Sequence, residues 1–342
     1  MRDFSLTIYK KLLGEFIQAG YRFITFVEFV QSPDEKEKTI ILRHDVDKKP
    51  LLSLRTAVLE NELQIKGTYY FRVIKNELPR ETIGRIAKMG HEIGYHYDDL
   101  NDAKGIEGKA LELFSKNLAK LREIAPIKTI CMHGSPLSKH DNRELWKSHD
   151  YLDFGIVGEP YFDIDFNDVM YLTDTGRRWD GGKVNIRDRV RGNGLGVMGK
   201  REDRRQKTED REQKTENMKQ KETDSRGAVC DPPALHYEIV DSSKNIGDGR
   251  GARGDREERR QKTEDRGQKE EDRRGAVGDP PVFNPHSTGD IIKALKSNML
   301  PDTIMLTIHP QRWTNNYFFW MKELIWQKIK NGVKYFVVKD IR

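Results

Sequence analysis

Strand-like and helix-like segments alternate along most of this sequence, and this alternation limits the folds available to it. Short apolar segments with strand spacing are followed repeatedly by segments with apolar residues at helical spacing. The predicted strands include residues 21–26, 39–42, 67–73, 129–134, 151–155, 169–173, 303–308 and 333–339. Such alternation is typical of a parallel sheet or barrel, so we predict an α/β fold.

The alternation stops between about residue 196 and residue 280. Charged residues of both signs dominate this segment, and large apolar residues almost vanish from it. Residues 204–211 recur identically as residues 259–266, without the apolar period that stacked repeats need. We therefore predict that residues 1–195 and 281–342 form one domain, and that 196–280 are a long charged low-complexity insertion, mostly disordered.

Composition and charge narrow the class of protein. A net charge of +6 is modest for 342 residues and does not indicate nucleic-acid binding. Two cysteines, Cys131 and Cys230, give no disulfide framework, which favours a reducing compartment. The N-terminal segment has the pattern of an amphipathic helix, not a signal peptide, and no apolar run is long enough to span a membrane. We therefore predict a cytoplasmic location, and the oligomeric state stays open.

Two aspartates follow the predicted strand 39–42. Side chains alternate along an extended segment, so Asp45 and Asp47 point the same way and Val46 points the opposite way. Two carboxylates that converge on one spot repel each other unless a cation or a shared proton lies between them. The pair therefore indicates either a reactive site or, in the plainer interpretation, a cap for the next helix.

Histidines also collect at the C-terminal ends of predicted strands. His96, His133 and His309 occupy such ends, and Asp98 and Asp99 follow His96 closely. A single histidine of this kind is often a hydrogen-bonded core residue. Together with the aspartate pair, however, these residues offer the mixed nitrogen and oxygen ligands that suit a divalent ion, Zn²⁺ above all.

Four short motifs share order and spacing with one known family. They are residues 44–47 (His-Asp-Val-Asp), 67–71 (Gly-Thr-Tyr-Tyr-Phe), 90–96 (Gly-His-Glu-Ile-Gly-Tyr-His) and 306–310 (Leu-Thr-Ile-His-Pro). The chain thereby resembles the polysaccharide deacetylase (NodB-homology) family of metal-dependent carbohydrate esterases. The resemblance implies a distorted (β/α) barrel of about seven strands. It also implies hydrolysis of an N-acetyl group from an amino sugar or polysaccharide precursor.

The resemblance assigns roles to four residues. It implies that Asp45 is the base, that Asp47 and His96 bind the metal, and that His309 is the acid. The family's second ligand histidine falls at Leu100, which cannot bind a metal. We predict Asp99 in its place, and Asp98, His91 and His133 remain alternatives.

Substrate contacts are predicted from three further places. His133 stands near the position of the family's Arg-x-Pro motif, which has no clear counterpart in this chain. Residues 177–180 (Arg-Arg-Trp-Asp) resemble a substrate loop, in which Trp179 offers a ring face and Asp180 a carboxylate. Arg312, after the predicted strand 303–308, is a further candidate. A packed tryptophan beside solvated arginines is the competing interpretation of this loop.

Three functional hypotheses follow. In the first, the chain is a metal-dependent hydrolase that acts on an N-acetylated sugar or a related small molecule. In the second, the missing ligand leaves a catalytically impaired barrel that binds glycans or serves in assembly. In the third, the charged insertion recruits a partner.

Overall fold

The computed structural model describes residues 2–31, 37–134, 140–177, 179, 283 and 285–339, with side chains as far as residue 330. The chain divides into two compact units, residues 1–211 with 284–342, and residues 212–283. Except for Phe283, the described residues belong to the first unit. The predicted insertion at 196–280 lies outside the described residues.

Seven parallel strands form the sheet in the described part of the chain. They are β1 (Arg22–Ile24), β2 (Thr39–Val46), β3 (Thr68–Phe71), β4 (Glu92–Tyr97), β5 (Ile127–Met132), β6 (Met170–Thr173) and β7 (Thr303–Ile308). The order along the sheet is β5-β4-β3-β2-β7-β6, and β1 pairs with the first half of β2. This arrangement confirms the predicted α/β fold with about seven strands, and it is consistent with a distorted barrel.

Helices follow most of the strands and cover the sheet. They are α1 (Leu6–Gln18), α2 (Phe26–Gln31), α3 (Ser53–Glu62), α4 (Arg80–Lys88), α5 (Asp99–Asp102), α6 (Glu107–Arg122), α7 (Leu145–Ser148), α8 (Pro160–Asp163), α9 (Thr288–Lys296) and α10 (Tyr317–Lys339). Capping hydrogen bonds fix the N-terminal ends of two of these helices. The Ser5 hydroxyl accepts from the Ile8 amide at α1, and Ser287 and Asp290 form a reciprocal capping box at α9.

Successive side chains of β3 enter different apolar layers. Tyr69 and Phe71 belong to the large core cluster that includes residues of α6, whereas Tyr70 packs in the inner cluster with Ile41 of β2 and Met305 of β7. This is the period of two expected for a strand that is buried on both faces. All of β2 is buried, so its residues also alternate between the layers. The inner layer is therefore the side of the sheet on which Arg43 and Asp45 lie.

Two local predictions were wrong. Residues 333–339 continue α10 as a helix and do not form a strand. A short apolar run does not by itself distinguish a helix from a strand, and the length of the preceding helix decided the outcome. Residues Tyr151–Phe154 form a 3₁₀ turn that ends at Gly155, whose φ of 68° suits glycine.

Candidate metal centre and catalytic groups

The C-terminal ends of β2, β4, β5 and β7 bring the predicted aspartates and histidines together. Asp47 lies at the centre of the group. Its Oδ1 is 3.3 Å from His96 Nε2 and 3.6 Å from His133 Nε2, and its Oδ2 is 3.8 Å from His309 Nε2. Neighbouring parallel strands end at the same edge of a sheet, which explains this convergence of distant segments.

Three of these residues form a candidate metal centre. One donor atom from each of Asp47, His96 and His133 lies within 4.8 Å of the other two. A second set that meets the same criterion consists of Asp45, His96 and Cys131. The first set is the stronger candidate, because the Asp45 carboxylate already forms a salt bridge with Arg43.

Hydrogen bonds at the opposite ring nitrogens orient both histidines toward Asp47. His96 Nδ1 lies 2.9 Å from the Cys131 carbonyl oxygen, which can only accept, so Nδ1 carries a proton. His133 Nδ1 lies 3.0 Å from Asp98 Oδ2, which assigns a proton to that nitrogen as well. In the neutral rings, both Nε2 atoms then present lone pairs to Asp47. Metal-binding histidines are typically held in this way.

The group fits a divalent cation. A carboxylate that faces two imidazole lone pairs is repelled unless the rings are protonated or a cation lies between the three groups. Burial raises the pKa of Asp47, but its interactions with His96, His309 and His133 outweigh the effect of burial and hold the pKa well below its usual range. Asp47 is therefore an ionised ligand. Two imidazole nitrogens and one carboxylate oxygen are a common ligand set for Zn²⁺ in catalytic sites.

A buried guanidinium holds Asp45 beside this centre. Arg43 Nε donates to Asp45 Oδ1 at 2.8 Å, and Arg43 Nη2 donates to Oδ2 at 2.7 Å. Burial raises the pKa of Asp45, but Arg43 and His96 lower it by more, so Asp45 is ionised. The sequence analysis missed Arg43. The available signal was an arginine two residues before Asp45 in a buried strand, because such residues share one face.

A second aspartate fixes His309 on the other side of Asp47. Asp174 follows β6 and is fully buried, and its Oδ1 lies 2.6 Å from His309 Nδ1. Trp313 Nε1 donates to Asp174 Oδ2 at 2.6 Å. Burial raises the pKa of Asp174, but the charges of Arg312 and His309 lower it by more. The ionised carboxylate therefore keeps a proton on His309 Nδ1 and leaves Nε2 facing the centre. Sequence reasoning missed Asp174, although it follows a predicted strand.

Arg312 supports Asp174 and is not placed as a substrate contact. Arg312 Nη1 donates to Asp174 Oδ1 and to the Asp174 carbonyl oxygen, each at 2.8 Å. The Arg312 side chain is buried and pairs with Asp174, so the structure gives it a supporting contact, and its role in substrate binding stays a prediction. Its charge balances a carboxylate that would otherwise be buried alone.

Asp99 does not join the candidate metal centre. Its carboxylate turns toward α6 and accepts from the Tyr95 hydroxyl, at 2.8 and 2.7 Å, and from Asn117 Nδ2 at 2.8 Å. Burial is the largest cause that raises the pKa of Asp99 to about 7. The chain turns into α5 at this residue, which carries the side chain away from the inner layer. The prediction of Asp99 as a ligand is therefore corrected.

His133 supplies the third donor atom of the candidate metal centre. It follows β5, the neighbour of β4, so its ring reaches the centre from the next strand. Asp98 supports the ring, and Arg72 Nη2 and Asn142 Nδ2 donate to Asp98 at 2.6 and 2.9 Å. His133 was among the alternatives for the third ligand and was predicted as a substrate contact. In the structure it lies among the candidate ligands.

The predicted substrate loop is described only at Trp179. This side chain is 4% exposed and packs against Phe4 and Trp313, and its Nε1 donates to Thr288 Oγ1 at 3.0 Å. Because neither face of the indole is open, Trp179 cannot stack on a sugar in this arrangement, and that prediction is corrected. Asp180 lies outside the described residues.

Comparisons with known proteins add little to this geometry. No protein-family model matches the chain, and no curated protein matches it significantly. Among solved structures, the chain is similar to a family 4 carbohydrate esterase from Bacillus anthracis. The two share 16% sequence identity over 44% of this chain and 67% of that one, with a TM-score of 0.30. A likeness this low assigns neither a family nor an activity.

Among the described residues, no helix combines the length and the apolar character needed to cross a membrane.

Proposed function

We propose that this chain is a metal-dependent hydrolase that removes an N-acetyl group from an amino sugar or a polysaccharide precursor. One observation carries the proposal. Asp47, His96 and His133 offer three converging ligands, with the ionised Asp45 beside them and the oriented His309 on the other side of Asp47. Paired acid and base groups around a ligand set of this kind are what metal-assisted hydrolysis of an amide needs.

The proposed ion is Zn²⁺, held by Asp47, His96 and His133. When bound, it supplies Lewis-acid polarisation of the acetyl carbonyl and lowers the pKa of a bound water. Every other part of the chemistry comes from side chains of this chain.

Asp45 is the proposed base. Its pKa is below the usual range, so the carboxylate is ionised near neutral pH and can accept a proton from water. Both of its oxygens already accept from Arg43, which fixes the carboxylate plane in the inner layer. The salt bridge keeps Asp45 charged without metal contact, and Asp47 is left to act as a ligand.

His309 is the proposed acid. Asp174 holds the Nδ1 proton, so a proton that leaves the ring departs from Nε2, the nitrogen that faces Asp47. The amine is a poor leaving group until its nitrogen is protonated. His309 would supply this proton from Nε2 when its ring is protonated on both nitrogens, and the ring would keep the Nδ1 proton that Asp174 accepts. The impaired-barrel alternative depended on a missing ligand at Leu100. His133 offers a third ligand from another strand, which favours the hydrolase.

The test uses purified full-length protein, stripped of metal with a chelator and reloaded with Zn²⁺. We expect one Zn²⁺ per chain by elemental analysis and acetate release from N-acetylglucosamine oligosaccharides by the loaded protein. Acetate release should disappear on stripping and return on reloading. Stoichiometric zinc without acetate release from any acetylated amino sugar would contradict the proposed function.

A further inference from the structure

A cavity of about 300 Å³ opens beside Asp47. Its wall comes from the end of β2, from β3 and from the segment that joins β3 to α4. Phe71, Ile74 and Leu78 give the wall an apolar part. The cavity therefore adjoins the candidate metal centre and offers space for the part of a substrate next to the reacting amide.

Cations outnumber carboxylates in this wall. Lys48, Arg72 and Lys75 are cationic, and the carboxylates are Asp47 and Glu77. Asp47 is assigned to the metal centre, so it does not neutralise the lysines. Arg72 is paired with Asp98, so its charge is balanced, whereas Lys48 and Lys75 face the one remaining carboxylate, Glu77. The excess of one positive charge produces a positive potential inside the cavity.

Arg72 connects this cavity to the metal centre. Its Nη2 donates to Asp98, which supports His133, and its Nη1 lies 3.4 Å from His133 Nε2. Its Nε is buried, and no described residue accepts from it. The guanidinium therefore has donor capacity that the described side chains leave unused.

Building on the proposed function, we infer that the acylated sugar carries an anionic group, a carboxylate or a phosphate ester, which binds in this cavity while the amide lies at the metal centre. The cations Lys48, Arg72 and Lys75 face the anion, and the apolar part of the wall contacts carbon atoms of the sugar.

The test measures binding and acetate release in parallel, with the zinc-loaded full chain. Calorimetry compares three probes: N-acetylglucosamine, its 6-phosphate, and N-acetylmuramic acid, which carries a carboxylate. We expect at least one anionic probe to bind roughly tenfold more tightly than the neutral sugar, and the preference to weaken with added salt. The two anionic probes distinguish a phosphate from a carboxylate.

Variants that remove one positive charge show which residues cause the preference for the anionic probe. Lys48→Gln and Lys75→Gln should each reduce the preference for the anionic probe by roughly three- to fivefold. Lys88→Gln, the same change at an exposed lysine at the far end of α4, is the matched control and should leave the preference unchanged. Because a phosphate also binds zinc directly, the lysine variants separate the cavity from the metal.

The outcomes separate the two proposals. Equal affinity for neutral and anionic probes, or a preference that survives both lysine changes, overturns the inference. If the neutral sugar releases acetate and the anionic probes bind no more tightly, the proposed hydrolase is kept and the inference of an anionic substrate is wrong. Charge-dependent binding without acetate release from any probe supports an anion site and contradicts the hydrolase.

Discussion

Three charged side chains alternate along the end of β2: Arg43, Asp45 and Asp47. All three face the inner layer because they are two residues apart. Arg43 and Asp45 pair with each other, and Asp47 faces histidines from other strands. Arg43 neutralises Asp45, which leaves Asp47 to face the histidines. One strand thus holds the proposed base, its counter-charge and one ligand at fixed spacing.

The identity of the third ligand gives the first prediction. In His133→Ala we expect zinc affinity to fall by more than the roughly 10–100-fold typical of a lost supporting residue, because a ligand itself is removed. Zinc competition with a chromogenic chelator measures this. Asp99→Asn is the matched control, since the Asp99 carboxylate turns toward α6. Full zinc affinity in His133→Ala would remove that residue from the metal centre.

Asp45 gives the second prediction. Asp45→Asn should keep stoichiometric zinc and lose roughly 10²–10⁴-fold in kcat, because an amide does not accept the proton from water. Elemental analysis and acetate release measure the two effects. The variant also leaves Arg43 without its charged partner, so thermal unfolding is recorded beside them. Unchanged turnover would exclude Asp45 as the base.

Asp174 gives the third prediction, which concerns the leaving group. Asp174→Asn weakens the hold on His309 Nδ1 and should lower turnover of an N-acetyl amide far more than turnover of 4-nitrophenyl acetate. The nitrophenolate leaves without a proton, so it does not need the acid. Asp45→Asn is the comparison, because it should lower both reactions. Equal losses in Asp174→Asn would contradict an acid role for His309.

At the scale of elements, the buried carboxyl group of Asp99 links α5 to α6. Asp99 contacts Tyr95 of β4 and Asn117 of α6, and Asp98 and Asp102 add repulsion to the effect of burial. Burial and this repulsion together bring the pKa of Asp99 to about 7, above its usual value of 3.8. The folded state therefore binds a proton that the unfolded state has already released in this range.

This linkage gives the fourth prediction. The stabilisation linked to the protonated Asp99 is complete below pH 3.8 and is lost as the pH rises through about 7. Relative to Asp99→Asn, the wild type should therefore lose about 1–3 kcal/mol of unfolding free energy between about pH 5 and about pH 8. Urea unfolding at both pH values measures the difference. Glu112→Gln, on the exposed face of α6, should show no such change.

The elements were easier to predict from sequence than the side-chain directions at their ends. Short apolar runs predicted the positions of β2, β3 and β7, and their alternation with helices predicted the parallel sheet. The choice between Asp99 and His133 depends on how the chain turns after Tyr97, which no local pattern encodes. Arg43 and Asp174 were missed for a related reason, because each acts on a neighbour whose position only the fold determines.

At the scale of the whole molecule, the described residues on either side of the insertion meet. Trp179 donates to Thr288, and Arg177 Nη1 donates to the Trp320 carbonyl oxygen at 2.8 Å. The described residues before and after this gap therefore lie close together. Segments of different length can join two such points at a small difference in entropic cost.

The fifth prediction follows from these contacts. Replacing residues 196–280 with a short glycine-serine linker should leave zinc content, acetate release and the thermal midpoint nearly unchanged. Loss of acetate release with the fold retained would instead assign the insertion a part in the function, as the third hypothesis requires. Deletion of residues 175–290, which removes Trp179 and Thr288 as well, is the contrasting variant and should unfold the domain.

The position of His133 has one more consequence. It follows β5, which ends the ladder among the described strands, whereas Asp47 extends β2 near the middle of the sheet. An ion bound by both residues would cross-link β5 to the middle of the sheet. Zinc binding and the folding of β5 against the sheet would then be thermodynamically linked. We therefore expect substitutions that destabilise β5 to weaken zinc binding, although they touch no ligand.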